Sequence, residues 1–375
     1  GIRGGMTFTN AHRARARIPQ LNNHEKGCRH LTYIDANNLY GSSLCKPPPH
    51  SNFTWLSESV IKHFEQEENI KLINETDEVG YTFEVDLHIP HEIHDKTSDL
   101  PLAPESNIVE KEMFSSYMTQ LNDELRPKSR YIPTKKLSLH HFDKKNYIVH
   151  FAVLKYYLHL GAKLKKIHSG VKYTQKPWLR SYIEFNSLKR QNSKTDFEKS
   201  YYKLRNNAIY GKSMENVRKR RQIKLVNNEK SLLKLVGNPL YVQHKIIDEA
   251  LVALEFYKAK VKLNKLIYVG QTVLDYSKLE MYELYYDTLQ SCSLINKTRL
   301  CGGDTDSFFL CLYTAPHISL SDIFQSLRHK FDSSNYDKNH PLFSLQNRAK
   351  LGCFKMNVVV NFWKNLYLPN QKCIP

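Results

Sequence analysis

The chain carries at Leu300–Leu310 the stretch LCGGDTDSFFL, where two aspartates stand one residue apart between apolar flanks. The flanks predict a β-hairpin, with Gly302 and Gly303 letting its turn bring the aspartates to the surface. Because side chains alternate faces along a strand, we expect Asp304 and Asp306 to point the same way. Two such close carboxylates repel each other in a partly dry site unless a divalent cation such as Mg²⁺ sits between them. A simple cap of the hairpin is the alternative interpretation of this short pattern.

A third aspartate, Asp35, stands where the apolar, strand-like stretch Leu31–Asp35 gives way to a turn. A single aspartate in that position is usually a cap or turn residue. Asn37, Asn38 and Tyr40 follow it closely, which is too specific a cluster for a generic turn. If Asp35 joins the pair at 304 and 306, the three carboxylates are enough for two Mg²⁺ ions, an arrangement that supports phosphoryl transfer.

A long helical segment is predicted over about 178–214, with an interruption near 192–193. Steps of four and three residues place four of its side chains on one face, those of Lys199, Lys203, Asn207 and Tyr210. Lysines are suitable partners for a triphosphate, and a tyrosine can stack on a base or exclude a sugar hydroxyl. Gly211 would permit close approach of another backbone. A solvated helix face is the alternative interpretation.

The composition favours a polyanionic partner. Lysine and arginine number 55 against 37 aspartates and glutamates, which gives a formal net charge of +18. Nucleic acid is the commonest partner for such a field, and a merely basic, solvated surface is the alternative.

No apolar run approaches the roughly 18–20 residues of a membrane-spanning helix, which argues against a spanning protein. Seven scattered cysteines without a Cys-x-x-Cys pair favour a reducing, intracellular compartment.

Three stretches resemble motifs of family B DNA polymerases, more narrowly of the protein-primed branch, and they occur in the order that this family requires. The stretches are YIDANNLYG at 33–41, KLRNNAIYG at 203–211 and DTDS at 304–307. Ala208 stands where the family usually has serine, and Gly41 stands where it has proline. Two further stretches, PLAPE at 101–105 and GKSMENVRKR at 211–220, look like polymerases of Polinton/Maverick-type transposons and related DNA viruses.

The resemblance implies a metal site built from matching residues. Asp35 and Asp306 would be the principal ligands, and the Ala36 carbonyl would assist them. Asp304 would lie beside the pair as a further catalytic carboxylate. Two Mg²⁺ ions, replaceable by Mn²⁺, would be the cofactor.

The resemblance also implies contacts with the dNTP and with DNA. Lys203 would hold the triphosphate, with Lys199 as a second candidate. Tyr40 would exclude the ribose 2′-hydroxyl, while Asn207 and Tyr210 would line the nascent base pair. The expected DNA-contacting residues are Arg3, Gly4, Gly5, Thr305 and Lys364. The first three look like the family's glycine motif. Lys364 begins the stretch KNLY at 364–367, which resembles the family's Lys-x-Tyr motif but has one residue too many.

By resemblance, the fold would be an α+β right-hand polymerase core with an antiparallel palm sheet, helical fingers and a thumb that is short or missing. The expected segments are a linker region with the Arg-Gly-Gly motif (1–30), the first part of the palm (31–100), a subfamily insertion (101–175), the fingers (176–235), the second part of the palm (236–345) and the start of a thumb or a truncated tail (346–375). No exonuclease module precedes residue 1, so proofreading is not expected. The short stretch after Asp306 would impair the grip on DNA.

The expected activity is DNA-directed DNA synthesis, in which a primer 3′-hydroxyl or a terminal-protein hydroxyl attacks the α-phosphate of a dNTP. It would serve replication of a viral or transposon-like genome, inside the cell, in the nucleus or at a viral replication site. Primed DNA template, dNTPs and a terminal protein would be the partners.

Two alternative functions stay open. A decayed remnant would bind nucleic acid without catalysis. A metal-dependent glycosyltransferase would use Asp304-x-Asp306 with a nucleotide sugar, which explains the hairpin but not the lysine-bearing helix or the charge.

Overall fold

The computed structural model describes residues 1–17, 27–125, 131–356 and 365–367, and Lys364 lies outside these ranges. The chain forms two compact units. The larger unit comprises Gly1–Asn207 and Gln271–Pro375, and the smaller unit comprises Ala208–Gly270. Within the described ranges, no helix is long and apolar enough to cross a membrane.

The described residues form strands and helices that are mixed along the chain. The strands are Thr7–Thr9 (β1), Arg13–Arg15 (β2), Cys28–Ala36 (β3), Pro49–Trp55 (β4), Val79–His88 (β5), Glu105–Val109 (β6), Thr134–Ser138 (β7), Lys144–His150 (β8), Lys163–Gln175 (β9), Arg221–Val226 (β10), Tyr241–Asp248 (β11), Leu251–Tyr257 (β12), Lys297–Asp304 (β13), Ser307–Thr314 (β14), Phe331–Asp332 (β15), Phe354–Met356 (β16) and Asn365–Tyr367 (β17). The α-helices are Leu39–Cys45 (α1), Glu58–Phe64 (α2), Glu67–Lys71 (α3), His94–Thr97 (α4), Ser116–Leu125 (α5), Phe151–His159 (α6), Arg180–Gln191 (α7), Asp196–Ser213 (α8), Glu229–Val236 (α9), Ile267–Glu283 (α10) and Leu320–Ser326 (α11).

The main sheet of the larger unit has the strand order β1-β13-β14-β3-β16-β15. All of its neighbouring strands are antiparallel except β15 and β16, which are parallel. The apolar side chains of the central strands β3 and β14, such as Ile34, Phe308 and Leu310, are completely or almost completely buried. Phe308 packs edge-on against Tyr285, in the π-helical turn that continues α10. The interior of this unit therefore lies between the main sheet and α10.

A second antiparallel sheet in the larger unit has the order β4-β9-β5-β8. Its last strand runs directly into α6, where the His150 side chain caps the helix by accepting from the Ala152 N–H. The apolar residues of α6 are buried together with the inner face of β5. These residues belong to the same hydrophobic core as Ile34 and Phe308 of the main sheet.

The predicted long helix forms as two helices, α7 and α8, separated by a short break at 192–195. Asn206 of α8 is buried and donates from its amide to the Ser187 hydroxyl of α7 at 3.1 Å. The break near 192–193 is therefore confirmed. The pair of helices presents one face of α8 to the candidate site described below.

The smaller unit has a three-stranded antiparallel sheet of order β10-β12-β11 together with α9. Leu254 and Phe256 of the central strand β12 are buried, while most side chains of β10 and β11 are exposed.

The expected α+β class, with antiparallel sheets and helical segments, is confirmed. The predicted strand at 31–35 and the predicted hairpin at 300–310 both form, as β3 and as β13–β14. The six expected segments stay predictions. The boundary between the two compact units at Ala208 falls inside the expected fingers segment, 176–235. Much of the tail assigned to a thumb lies outside the described residues.

Candidate active site

The hairpin of β13 and β14 closes in a tight turn. Asp304 pairs with Ser307 across the ladder, so Thr305 and Asp306 form the turn itself. The Asp306 N–H donates to the Asp304 carbonyl at 2.7 Å, and Thr305 has a φ of 58°, in the left-handed region. The argument that Asp304 and Asp306 point the same way is wrong, because strand alternation does not continue through a turn.

The two glycines of the hairpin lie within β13 rather than in the turn, so their expected role is also wrong. A Cβ at Gly303 would stand only 3.0 Å from the rings of Phe8 and Phe308. Glycine therefore lets these two rings close over the strand.

Strand pairing brings Asp35 and Asp306 together although they are far apart in the sequence. β3 lies beside β14 with Asp35 opposite Ser307. The Ala36 N–H donates to the Asp306 carbonyl at 2.7 Å. On the other edge of β3, Lys355 of β16 is the cross-strand partner of Asp35.

A cleft of about 490 Å³ opens beside this carboxylate pair. It brings together most of the residues that the sequence singled out, namely Asp35, Ala36, Tyr40, Lys199, Lys203, Asn207, Thr305 and Asp306. Further charged residues line it as well, namely Asp332, Arg190, Arg348 and Lys355. The cleft therefore combines a carboxylate pair with five cationic side chains, a lining suited to a metal ion and a polyphosphate.

The electrostatics of the cleft show why a cation fits. Burial and, to a lesser extent, the Asp306 carboxylate together raise the pKa of Asp35 to about 6, although Lys203 and Lys355 oppose both effects. Burial also raises the pKa of Asp306, with Asp304 adding to the shift and Lys203 opposing it. Both carboxyls are thus costly to ionise in a half-buried site, and a hard divalent cation with oxygen ligands would remove that cost. By the chemistry of this donor set, Asp35, Asp306 and the Ala36 carbonyl fit Mg²⁺.

Asp304 stands apart from the pair. It is exposed, does not line the cleft, and accepts hydrogen bonds from the Thr7 hydroxyl at 2.9 Å and from the Thr305 hydroxyl at 3.4 Å. Among the described residues, no three His, Cys, Asp or Glu side chains converge in a way that could hold a metal ion. The expected site of three carboxylates is therefore not found, because β1 holds Asp304 at the strand end while the turn carries Asp306 into the cleft.

Helix α8 supplies the cations and the amide that were expected from it. Lys199, Lys203 and Asn207 all line the cleft, and the Lys199 ammonium also pairs with Asp196 at 2.9 Å. Tyr210 lies further along α8, in the smaller unit, and its expected role stays a prediction. A Cβ at Gly211 would meet open space within the described residues, so the close backbone approach expected there is wrong.

Helix α1 positions Tyr40 at the cleft. Asn38 precedes the helix with a φ of 53°, and its side chain caps α1 by accepting from the Gly41 N–H at 3.2 Å. A Cβ at Gly41 would overlap the Asn38 side chain. Glycine at this position, where the resembled family has proline, is therefore required by the cap.

The N-terminal segment braces the turn. The Thr305 N–H donates to the Met6 carbonyl at 2.8 Å, and a Cβ at Gly5 would overlap the Thr305 side chain. The Arg3 guanidinium stacks 3.6 Å from the centroid of the Tyr147 ring and donates to the Ile148 carbonyl at 2.7 Å.

Of the expected DNA-contacting residues, Thr305 therefore lines the cleft and Gly5 packs against it. Gly4 is exposed, and Arg3 is engaged within the protein rather than at the cleft. Lys364 lies outside the described residues. Contact with DNA stays a prediction for all five residues.

Comparisons with known proteins give matches among solved structures alone. No protein-family model matches the chain. A search of curated proteins found no match either. Phi29 DNA polymerase in an orthorhombic crystal form is similar at 12% sequence identity and a TM-score of 0.48, over 97% of this chain and 46% of that chain. The same values hold for Phi29 DNA polymerase complexed with primer-template DNA, in the post-translocation binary complex. The ternary complex with primer-template DNA and incoming nucleotide substrates has 12% identity and a TM-score of 0.46, over 94% of this chain and 45% of that chain. The chain thus spans less than half the length of these structures.

Several lining residues escaped the sequence analysis. The carboxylate of Asp332 is buried and accepts from the Asn37 amide at 2.9 Å and from the Ala349 N–H at 2.7 Å. Burial alone would raise its pKa, but these bonds and one from the Ser334 N–H hold the pKa below its usual range. Asp332 therefore anchors the loop after Asp35, and its hydrogen bonds favour the ionised carboxylate.

Arg348 and Lys355 were also missed. They stand in short pieces of chain with no recognisable spacing to the other cleft residues. The alternation of charge and apolar side chains in Phe354–Met356 is a weak strand signal, and it does not reveal that β16 pairs with β3.

Proposed function

We propose that the chain is a DNA-directed DNA polymerase, which joins a dNMP to a primer 3′-hydroxyl with release of pyrophosphate. One observation carries the proposal, namely that a single cleft holds the half-buried pair Asp35 and Asp306 together with Lys199 and Lys203 of α8. The glycosyltransferase alternative explains the carboxylates but not the lysines of α8 or the net charge of +18. The three motif resemblances support the proposal from the sequence.

The carboxylate pair would hold Mg²⁺, with Mn²⁺ as a substitute. Asp35 and Asp306 are the ligands that the cleft offers, and Ala36, whose carbonyl the resemblance makes a further ligand, lines the cleft with them. When bound, Mg²⁺ supplies charge neutralisation and Lewis-acid activation at a phosphate. The strand pairing of β3 with β14 holds the two carboxylates in place before substrate arrives, so no large rearrangement of these side chains is required.

The cationic residues would bind the triphosphate and the DNA backbone. Lys203 influences both carboxylates of the pair, so its ammonium lies near the place where the phosphates would meet them. Lys355 approaches Asp35 from the opposite edge of β3. Tyr40, at the start of α1, would stand against the sugar of the incoming nucleotide and discriminate against a 2′-hydroxyl.

The kind of primer and the kind of genome replicated are proposed from the resemblance to protein-primed family B DNA polymerases. We propose protein-primed synthesis, with a terminal-protein hydroxyl as one primer, in replication of a Polinton-like transposon or viral genome inside the cell. The stretches at 101–105 and 211–220 support this affiliation.

Primer extension on a primed DNA template tests the proposal. Wild type is expected to extend the primer with Mg²⁺ or Mn²⁺, and Asp306→Asn is expected to reduce the rate by about a thousandfold or more, since charge stabilisation is usually the largest catalytic contribution. Asp123→Asn is the matched control, because Asp123 is an exposed carboxylate outside the cleft. Absence of extension by wild type, with salt-sensitive DNA binding intact, would support the binding-only alternative. Binding of UDP-sugar without dNTP binding would support the glycosyltransferase.

A further inference from the structure

A row of exposed aromatic side chains covers the face of the α7–α8 pair that does not line the cleft. On α8, Phe197 is 79% exposed and Tyr201 is 45% exposed. Their rings are nearly parallel, at an interplanar angle of 16° and a centroid distance of 6.4 Å. On α7, Phe185 is 54% exposed. Phenylalanine and tyrosine side chains of this size are usually buried, so a row of them in water indicates a binding surface.

Cations are interleaved with these rings. The Arg205 guanidinium bridges the two helices, donating to the Tyr182 hydroxyl at 3.1 Å and to the Tyr201 hydroxyl at 3.3 Å. It lies within 6 Å of both ring centroids. The Lys189 ammonium lies 5.6 Å from the centroid of Phe185. Each exposed ring named here except Phe197 therefore has a cation beside it.

The charge balance of this helix pair is positive. Between residues 180 and 207 there are seven lysines and arginines, of which Arg190, Lys199 and Lys203 line the cleft. Outside the cleft, four cations (Arg180, Lys189, Lys194 and Arg205) stand against three acids (Glu184, Asp196 and Glu198). Two of the acids are already engaged, Asp196 with Lys199 and Glu198 with the N–H groups of Lys194 and Thr195. The surface thus complements a polyanion that also carries flat, apolar groups.

We infer that this face, defined by Tyr182, Phe185, Lys189, Phe197, Tyr201 and Arg205, binds single-stranded nucleic acid. Unpaired bases stack on exposed aromatic rings, and the cations between the rings hold the phosphates. Duplex DNA fits the surface less well, because its bases already stack on each other. The helical spacing of the cleft residues places them on a different face of α8, so the inference does not depend on the cleft being catalytic.

Binding of a fluorescent oligothymidylate to the full chain tests the inference. The variant with Phe197→Ala and Tyr201→Ala is expected to bind about tenfold or more weakly, since each base–ring stack contributes strongly to affinity. The slope of affinity against salt should stay unchanged, because the rings carry no charge. Lys189→Gln should instead lower the slope by about 0.7, the value for one phosphate contact with a single strand.

Two controls make the outcome decisive. Leu204→Ala removes an exposed apolar side chain (65% exposed) from the same face without removing a ring, and it should leave binding unchanged. Oligothymidylate binding is measured without metal or dNTP and so requires no catalysis, which distinguishes a failure of the proposed catalysis from a failure of this inference. Equal loss with Leu204→Ala would identify a general apolar docking surface and overturn the inference. Unchanged binding by the double aromatic variant would overturn it as well.

Discussion

Lys203 influences both carboxylates of the cleft. Asp35 and Asp306 are half-buried, and burial raises the pKa of each, with Asp306 adding to the rise at Asp35 and Asp304 adding to the rise at Asp306. Lys203 opposes the rise at both, whereas Lys355 opposes it at Asp35. Lys199 lines the same cleft, but its ammonium is shared with Asp196 at 2.9 Å. Two lysines one helical turn apart therefore have different electrostatic surroundings.

This difference predicts unequal effects of removing the two charges. Lys203→Gln is expected to raise the KM for dNTP by about tenfold or more, because a charge-assisted contact with phosphate is lost. Lys199→Gln should raise it by a smaller factor, since the Lys199 charge is already partly neutralised by Asp196. Steady-state primer extension at varied dNTP concentration measures both values. Equal effects of the two substitutions would contradict the assignment of Lys203 as the main phosphate ligand.

Part of the site could be predicted from the sequence alone. Asp35, Lys203 and Asp306 stand in recognisable motifs, and the strand and helix that carry them follow local periodicity. The turn at Thr305 was not predictable, because strand alternation gives no sign of where the ladder stops. Lys355 was not predictable either, since its place beside Asp35 depends on the order of strands in the sheet, a non-local property.

At the scale of elements, helix α10 is tied to α1 by a buried acid. Glu280 of α10 accepts from the Ser42 hydroxyl at 3.1 Å, and the Lys46 ammonium lies 3.9 Å from the same carboxylate oxygen. Burial raises the pKa of Glu280 to about 7, although Lys46 and Ser42 oppose the shift. This contact fixes the helix that begins at Leu39 and carries Tyr40 to the cleft.

The raised pKa predicts how stability depends on pH. A carboxyl that titrates near 7 when folded and near its ordinary 4.5 when unfolded stabilises the fold fully below about pH 4.5. This contribution, on the order of 3 kcal/mol, is lost as the pH rises from 4.5 through 7. Glu280→Gln keeps an acceptor for Ser42 without the charge, so its free energy of unfolding should vary less between pH 4.5 and 8 than that of wild type. Urea denaturation at several pH values measures the difference.

Glu78→Gln is a suitable control for that experiment, because Glu78 is exposed. It should leave the pH profile of the wild type unchanged. Parallel profiles for wild type and Glu280→Gln would show that Glu280 is not the group responsible.

At the scale of the whole molecule, the net positive charge determines how the protein attracts a polyanion at long range. The net charge of +18 is spread over a chain of 375 residues, and the cationic lining of the cleft is one part of it. An excess of this kind attracts nucleic acid at long range and is weakened by salt.

The affinity for primed DNA is therefore expected to fall steeply with salt. If the protein neutralises six or more phosphates, raising the salt from about 50 to 200 mM should weaken binding by about a thousandfold or more. Fluorescence anisotropy with a labelled primer–template measures the slope. Lys71→Gln, which removes a lysine already paired with Glu68 at 2.7 Å, should leave the slope unchanged. A flat salt response would argue against a phosphate-binding function.

The order of strands in the main sheet also has a consequence for synthesis of the chain on the ribosome. β3 is translated long before its ladder partners β14 and β16, and the Thr7–Asp304 hydrogen bond joins residues 297 positions apart. A nascent chain must hold this apolar strand without those partners until the downstream strands have been made. Closing so large a loop is slow and exposes strand edges to aggregation. Cells that make this protein are therefore expected to need a chaperone that shields β3 until the hairpin carrying Asp306 emerges.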